Sequence, residues 1–410
     1  MIKVCKPNVY QMGGGKTRLS CRILDSQRDD EREIWFESDA EYGQYFCDEV
    51  CDAFVVAVLL PALRSSQDIT VEGPMSERLY YNIRNTVIYL FSTAFGYKPI
   101  NIKAEKLVHP HFDNFAVGCG CSLGVDSFAA MLSHMEDLHP YGNPSGYQIT
   151  HLTYFNVGAH GYKNLEKVEA SYKKDLEMVK AFAESINRPL VCINSNIHIL
   201  FDGFNFDQSG DTRNMCAVLS MQKFFKRYLY ASSYPIKEFR LTPVQSGYYE
   251  TVLLPSLSTE NTELIVANPN LSRTEKTELL ADNKQAQSHL YVCWKELIAN
   301  NNPGCEIAKI KDKYLNCTRC DKCHRTLMAL DIMGKTEDFS AIFDLKHWNS
   351  VKDKYIATVL STTKENGFSS DLKEMMDKYH YQIPFKSKAF LYLHKTGVVG
   401  LYHKIRKIVK

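Results

Sequence analysis

The stretch GCGCSLGVDSFAAM, residues 118 to 131, decides how this chain folds. The apolar run NFAVGCG leads into a glycine-rich turn, and an amphipathic segment follows at once. The run reads as a strand, and the 3.6-residue period after the turn predicts a helix from Asp126 to Glu136. Such a junction aims several backbone N–H groups and the positive end of a helix dipole at one point, and that point binds phosphate. Gly124 lets the backbone approach an anion closely, Ser122 and Ser127 offer hydroxyls, and Leu123 and Val125 enter through their amides. Asp126 is a poor neighbour for bare phosphate and suits a Mg²⁺ that bridges phosphates.

Downstream the same alternation continues. THLTYFNVG reads as a strand, Asn164 to Ile186 as a long helix and PLVCINSN as a strand. A helix from Thr212 to Tyr230 then precedes a strand in EFRLTPV. Repeated strand–helix–strand units imply an α/β fold with a parallel sheet and helices on both faces. Upstream, TRLSCRIL and REIWFES form a hairpin pair. Phe46 to Ser65 and Met75 to Phe95 carry helical periodicity, with strand-like DITVEG and INIKAEKLV after each. At 410 residues the chain exceeds one ordinary core. The expected organisation is an α+β accessory domain over 1–110, a nucleotide domain over 111–345 and a helical extension with a basic tail over 346–410.

The 13 cysteines divide into scattered and clustered sets. Cys5, Cys21, Cys47, Cys51, Cys192 and Cys216 are scattered and read as core filling. CTRCDKCHRTLMAL places Cys317, Cys320 and Cys323 in two consecutive C-x-x-C steps, the second fitting one helix turn. Three converging thiolates need a fourth ligand for tetrahedral closure, with Cys293 and Cys305 as the candidates. All-sulfur coordination suits Zn²⁺, an iron–sulfur cluster being the alternative, and a closed site would be structural rather than catalytic.

Ser122-Leu123-Gly124-Val125-Asp126-Ser127 resembles the Ser-Gly-Gly-x-Asp-Ser signature of the PP-loop ATP pyrophosphatases, with Leu123 where the family usually has Gly. Within that family the chain is similar to the 7-cyano-7-deazaguanine synthase branch, which carries a four-cysteine zinc site after its ATP domain. The branch's first cysteine sits in a segment ending in Cys-aromatic, matched by SHLYVCW, and this favours Cys293 over Cys305. DTRNMCAVLSM resembles the branch's Arg-Asn helix start, with Arg213 and Asn214 at the active-site mouth. NPNLSRTEKTELL resembles its turn leading to a Lys, matched by Lys276. The resemblance covers roughly residues 112 to 345 and omits both ends of the chain.

The resemblance implies cleavage of ATP to AMP and pyrophosphate, with adenylation of a carboxylate or amide oxygen for attack by nitrogen. It implies ATP, Mg²⁺ and Zn²⁺ as cofactors, and Asp126, Lys276 and Arg213 as catalytic groups. Residues Ser122 to Ser127 with Asn214 would bind the nucleotide, and Cys293, Cys317, Cys320 and Cys323 the zinc. No glutaminase segment is visible, so free ammonia or a partner would supply nitrogen; relatives commonly dimerise. The alternative is a nucleotide-binding module without turnover, of the kind that enlarged relatives provide in polysaccharide loci or antiphage defence.

Other features set bounds. A formal charge of +2 gives no global field to hold nucleic acid or a membrane. The longest apolar run, Ala53 to Leu63, is too short to span a bilayer and contains Pro61. With no export signal in MIKVCKPNVYQ, a cytoplasmic location is expected. MGGGKT ends like a Walker A loop, but Tyr10 occupies the position of its first Gly. The basic, aromatic stretch from 385 to 410 reads as a solvated helix end rather than an RNA contact. Cys119 and Cys121 read as strand residues either side of Gly120, and His160, after the second strand, stays outside the main site.

Overall fold

The computed structural model describes residues 1–135, 144–161, 165–302, 304–309 and 313–395. It contains eleven strands: β1 (Ile2–Val4), β2 (Asn8–Met12), β3 (Lys16–Asp25), β4 (Asp30–Asp39), β5 (Ile69–Ser76), β6 (Ile102–Val108), β7 (Ala116–Gly120), β8 (His151–Asn156), β9 (Leu190–Ser195), β10 (Phe225–Ala231) and β11 (Glu263–Ala267). All lie in one sheet, ordered β11-β10-β7-β8-β9-β4-β3-β1-β5-β6, with β2 paired to β3. From β11 to β9 every pairing is parallel. β9–β4, β4–β3 and β3–β1 are antiparallel, and β1–β5 and β5–β6 are parallel again. This is an α/β architecture with a large, mostly parallel mixed sheet flanked by helices.

The change of sequence pattern near residue 112 corresponds to a change of strand direction across this sheet. The β4–β9 ladder spans only Phe36↔Ser195 and Glu37↔Asn194. Side chains extend it: Ser38 Oγ donates to the Cys192 carbonyl at 2.7 Å, Ser195 Oγ to the Trp35 carbonyl at 2.6 Å, and Asn196 Nδ2 to the Glu33 carbonyl at 2.8 Å. Each adds a side-chain hydrogen bond across the short ladder. The apolar run from Ala53 to Leu63 forms the Asp52–Arg64 helix, buried almost all round within this unit.

Two compact units emerge: residues 1–122 with 130–270, and residues 123–129 with 271–410. The first holds the whole sheet. The second is helical, with Arg273–Leu280, Asp321–Ile332, Leu345–Thr362 and Gly367–Lys378 built around Leu327, Leu330, Trp348, Ile356 and Met375. A capping box starts the Arg273–Leu280 helix, the Ser272 side chain accepting from the Glu275 amide while Glu275 Oε2 accepts from the Ser272 amide. Among the described residues no helix is long and apolar enough to cross a membrane.

One stretch departs from the sequence reading. The helix expected from Thr212 to Tyr230 runs instead from Phe206 to Leu219, and FKRYLYA becomes strand β10. Its buried Phe225, Tyr228 and Leu229 are β-formers whose spacing also fits a helical face, so periodicity alone does not separate the two. EFRLTPV is no strand; Leu241 and Val244 are exposed and give a strand no face to bury. The sheet takes ELIVA as β11 instead. Glu136 and Asn164, ends of two predicted helices, and residues 396–410 of the basic tail lie outside the described residues.

Candidate functional site

The glycine-containing loop expected to hold phosphate begins where β7 ends. The Cys121 amide donates to the Thr153 carbonyl at 2.9 Å, so the chain leaves the sheet only after that bond. Gly118 is forced by packing, because a Cβ there would lie 2.6 Å from the Phe225 ring. Leu123 sits at φ +57°, the left-handed region in which glycine rests without cost. Its side chain is only 2% exposed, and its carbonyl accepts from the Tyr291 amide at 2.8 Å. Burial and that bond hold Leu123 where the resemblance would put Gly. The Val125–His134 helix follows directly, its first turn carrying Asp126. Ser127 Oγ donates to the Gly124 carbonyl at 3.1 Å.

Asp126 meets two cations from one helix. Arg273 and Lys276, three residues apart on the Arg273–Leu280 helix, share a face. Arg273 Nη1 donates to Asp126 Oδ2, and Lys276 Nζ lies 3.3 Å from Oδ1. Lys276 is 1% exposed and Arg273 14%, so these charges are largely desolvated. Burial alone would raise the Asp126 carboxyl; the charges of Arg273, Lys276 and Lys322 outweigh it and hold the pKa below the usual carboxylate range. Lys322 Nζ stands 4.3 Å from the Trp294 ring centroid. Burial first, then repulsion from Arg273, pushes its pKa down to about 7. Three cations thus act on Asp126, an arrangement suited to an anion of higher charge.

Arg213 and Asn214 belong to the first unit. Arg213 is 1% exposed, its guanidinium 4.6 Å from the Phe201 ring centroid and 5.6 Å from that of Phe206. Gly158, just past the carboxyl end of β8, makes room for it: a Cβ there would lie 2.7 Å from Arg213 Nη1. Asn214 Nδ2 donates to the Gly210 carbonyl of its own helix at 2.8 Å. His160 is more tied down than its sequence context indicates, with Nε2 3.1 Å from Asp175 Oδ2 and 3.3 Å from the Tyr154 hydroxyl. Burial raises the Cys119 thiol to about 12, so it is an inert packing residue.

Of the two candidates for a fourth ligand, Cys293 rather than Cys305 joins the three clustered cysteines. Ligand atoms of Cys293, Cys317, Cys320 and Cys323 all lie within 4.8 Å of one another, and this set could hold a metal such as zinc. Sulfurs 2.3 Å from a tetrahedral zinc would stand about 3.8 Å apart, and the Cys317–Cys323 and Cys320–Cys323 separations are 3.9 and 3.4 Å. Backbone amides aim at the sulfurs: those of Lys295 and Cys317 at Cys293 Sγ, 3.3 and 3.4 Å, and those of Arg319 and Cys320 at Cys317 Sγ, both 3.4 Å. Donors around sulfur favour thiolate, the form that binds metal. Zinc bound there would crosslink the 293 segment to the 317–323 turn.

Sequence reasoning missed Arg273 and Asn316. Arg273 had a legible signal, lying one helical turn before Lys276. Asn316 had none, because its role is to bridge distant chain. Its Oδ1 accepts from the Val292 amide at 2.9 Å and its Nδ2 donates to the Leu290 carbonyl at 2.8 Å, which docks the strand-like segment bearing Cys293 beside Cys317. Compared with models of known families, with curated proteins and with solved structures, the chain matches none.

Proposed function

We propose that the protein is a PP-loop-type ATP pyrophosphatase that adenylates a carboxylate or amide oxygen for attack by a nitrogen nucleophile. The observation that carries this reading is Asp126, in the first turn after a strand–loop junction, held by Arg273 and buried Lys276. A substrate oxygen would attack the α-phosphorus of ATP as the Pα–O–Pβ bond breaks, and pyrophosphate would leave with the bonding electrons. Amides from Ser122 to Ser127 would hold the departing pyrophosphate at the helix N-terminus. Arg273 and Lys276 would neutralise its growing charge, exchanging carboxylate oxygens for phosphate oxygens. Asp126 would orient both cations and is the residue that would hold a Mg²⁺, whose chemistry there would be further charge neutralisation. The nitrogen nucleophile finally displaces AMP from the adenylate.

Incubation with ATP, Mg²⁺, ammonium and a panel of acids, including a deazapurine carboxylate, tests the proposal. AMP and pyrophosphate are the expected products, falling by about 10²–10³ in Arg273→Ala and Lys276→Ala, the scale of losing one preorganised charge-stabilising donor. Formation of ADP and phosphate alone would defeat the mechanistic class. A module that binds nucleotide without turnover is favoured by one observation: both Asp126 oxygens are already engaged by cations. Stoichiometric ATP binding with no AMP release would select that reading.

A further inference from the structure

The first unit contains a cavity of about 230 Å³ that the ATP chemistry does not use. Its walls include Ile2, Ile23, Val58 and Phe204, which form an apolar floor beneath a polar rim. Three arginines and three aspartates also line it: Arg28, Arg32 and Arg64 with Asp25, Asp30 and Asp202. Their charges are not all matched internally. Arg32 Nε lies 2.5 Å from Asp30 Oδ2, and Arg28 Nε lies 3.7 Å from Asp25 Oδ2. Arg64 and Asp202, both exposed at its rim, remain. Arg64 Nη1 donates to the Asp202 carbonyl at 2.8 Å, and its guanidinium stands 5.0 Å from the Phe204 ring centroid. Among the described residues no carboxylate pairs with Arg64 and no cation pairs with the Asp202 carboxylate.

A pocket with an apolar floor and, at its exposed rim, one charge of each sign without an ion-pair partner among the described residues, on residues joined by a hydrogen bond, is complementary to a zwitterion with an apolar side chain. We infer that this cavity binds a free, large apolar amino acid. The α-carboxylate lies on the Arg64 guanidinium, whose planar fork suits a carboxylate. The α-ammonium lies on Asp202, and the side chain fills the space beside Phe204. Size selects the class. Where about 150 Å³ holds a benzene ring, the larger volume here takes an aromatic ring with its amino-acid backbone. Ligand pockets commonly combine an apolar lining with a few convergent polar groups in this way. The inference is independent of the ATP chemistry and stands or falls separately from it.

Isothermal titration of the full-length protein with L-phenylalanine tests it, with L-leucine and L-methionine alongside. Saturable one-site binding is expected. N-acetyl-L-phenylalanine, which lacks the cation, and L-phenylalaninamide, which lacks the anion, should each bind at least about tenfold more weakly, the cost of one charged hydrogen-bonded contact. Glycine, which has both charges and no apolar body, should give no saturable heat. Arg64→Gln and Asp202→Asn should each weaken phenylalanine binding about tenfold or more with unchanged circular dichroism, whereas Arg28→Gln, at an internally paired position, should change it less than about threefold. Absence of saturable binding by all three amino acids overturns the inference. So does equal binding of the acetylated or amidated form, which would show that one charge suffices.

Discussion

At Leu123 a left-handed backbone and a buried aliphatic side chain occupy one residue. The conformation costs on the order of 1–2 kcal/mol for a residue with a Cβ, while truncating a buried leucine to alanine costs about 2–5 kcal/mol. Leu123→Ala keeps the strain and loses the burial, whereas Leu123→Gly loses the burial and relieves the strain. Glycine should therefore be the less damaging substitution by about 1 kcal/mol, the reverse of the usual order, as thermal melting of the two variants would read. Asp126 makes a separate, pH-dependent contribution. Its pKa is lower in the folded protein than in the unfolded chain, where it is about 3.9. Its stabilisation is therefore fully present above that unfolded value and is lost as pH falls through the folded one. The difference in melting temperature between wild type and Asp126→Asn should be widest near neutrality and should shrink below about pH 4. A gap independent of pH would remove the ionised carboxylate from the account.

Elements act here by holding two places in the chain together. Asn316, 1% exposed, does so for the metal centre through hydrogen bonds to the backbone of Leu290 and Val292. Asn316→Ala should cost about 1–3 kcal/mol, since it leaves buried backbone groups unpaired, and should speed zinc release to a chelator while all four cysteines remain. Zinc content followed by inductively coupled plasma mass spectrometry separates this from a general loss of stability when Leu330→Ala, a nearby core truncation, is run in parallel. β7 offers a second case. Gly118→Ala would push a methyl into the Phe225 ring, an overpacking cost of about 1–3 kcal/mol.

For the whole molecule, the division into a sheet-containing unit and a helical unit makes the effect of metal removal local in the chain. The four cysteines all belong to the unit that includes residues 271–410. If zinc occupies the four cysteines, chelation should raise hydrogen exchange over the described residues between about 290 and 330 and leave β7, β8 and β10 protected. Uniform loss of protection would mean that zinc supports the entire fold. Cys293→Ser should reproduce the chelated pattern and Cys305→Ser should not, because Cys305 is outside the converged set.

Much of this arrangement was legible along the chain because its causes are local. NFAVGCG followed by SLGVDSF encodes a strand, a turn and a helix start within a few residues, and the paired C-x-x-C steps encode convergence of three thiols across a turn and a helix start. The same locality failed at Phe225–Ala231, where aromatic spacing satisfied two periods and only a vacancy in the sheet between β7 and β11 made it a strand. Packing in three dimensions also chose Cys293 over Cys305, brought Arg273 and Lys276 to Asp126, and joined the strands before and after residue 112 in one sheet. Spacing can report which residues share a face of one element. Which distant element meets that face depends on burial and hydrogen-bond satisfaction summed over the fold, and no window of sequence contains that sum.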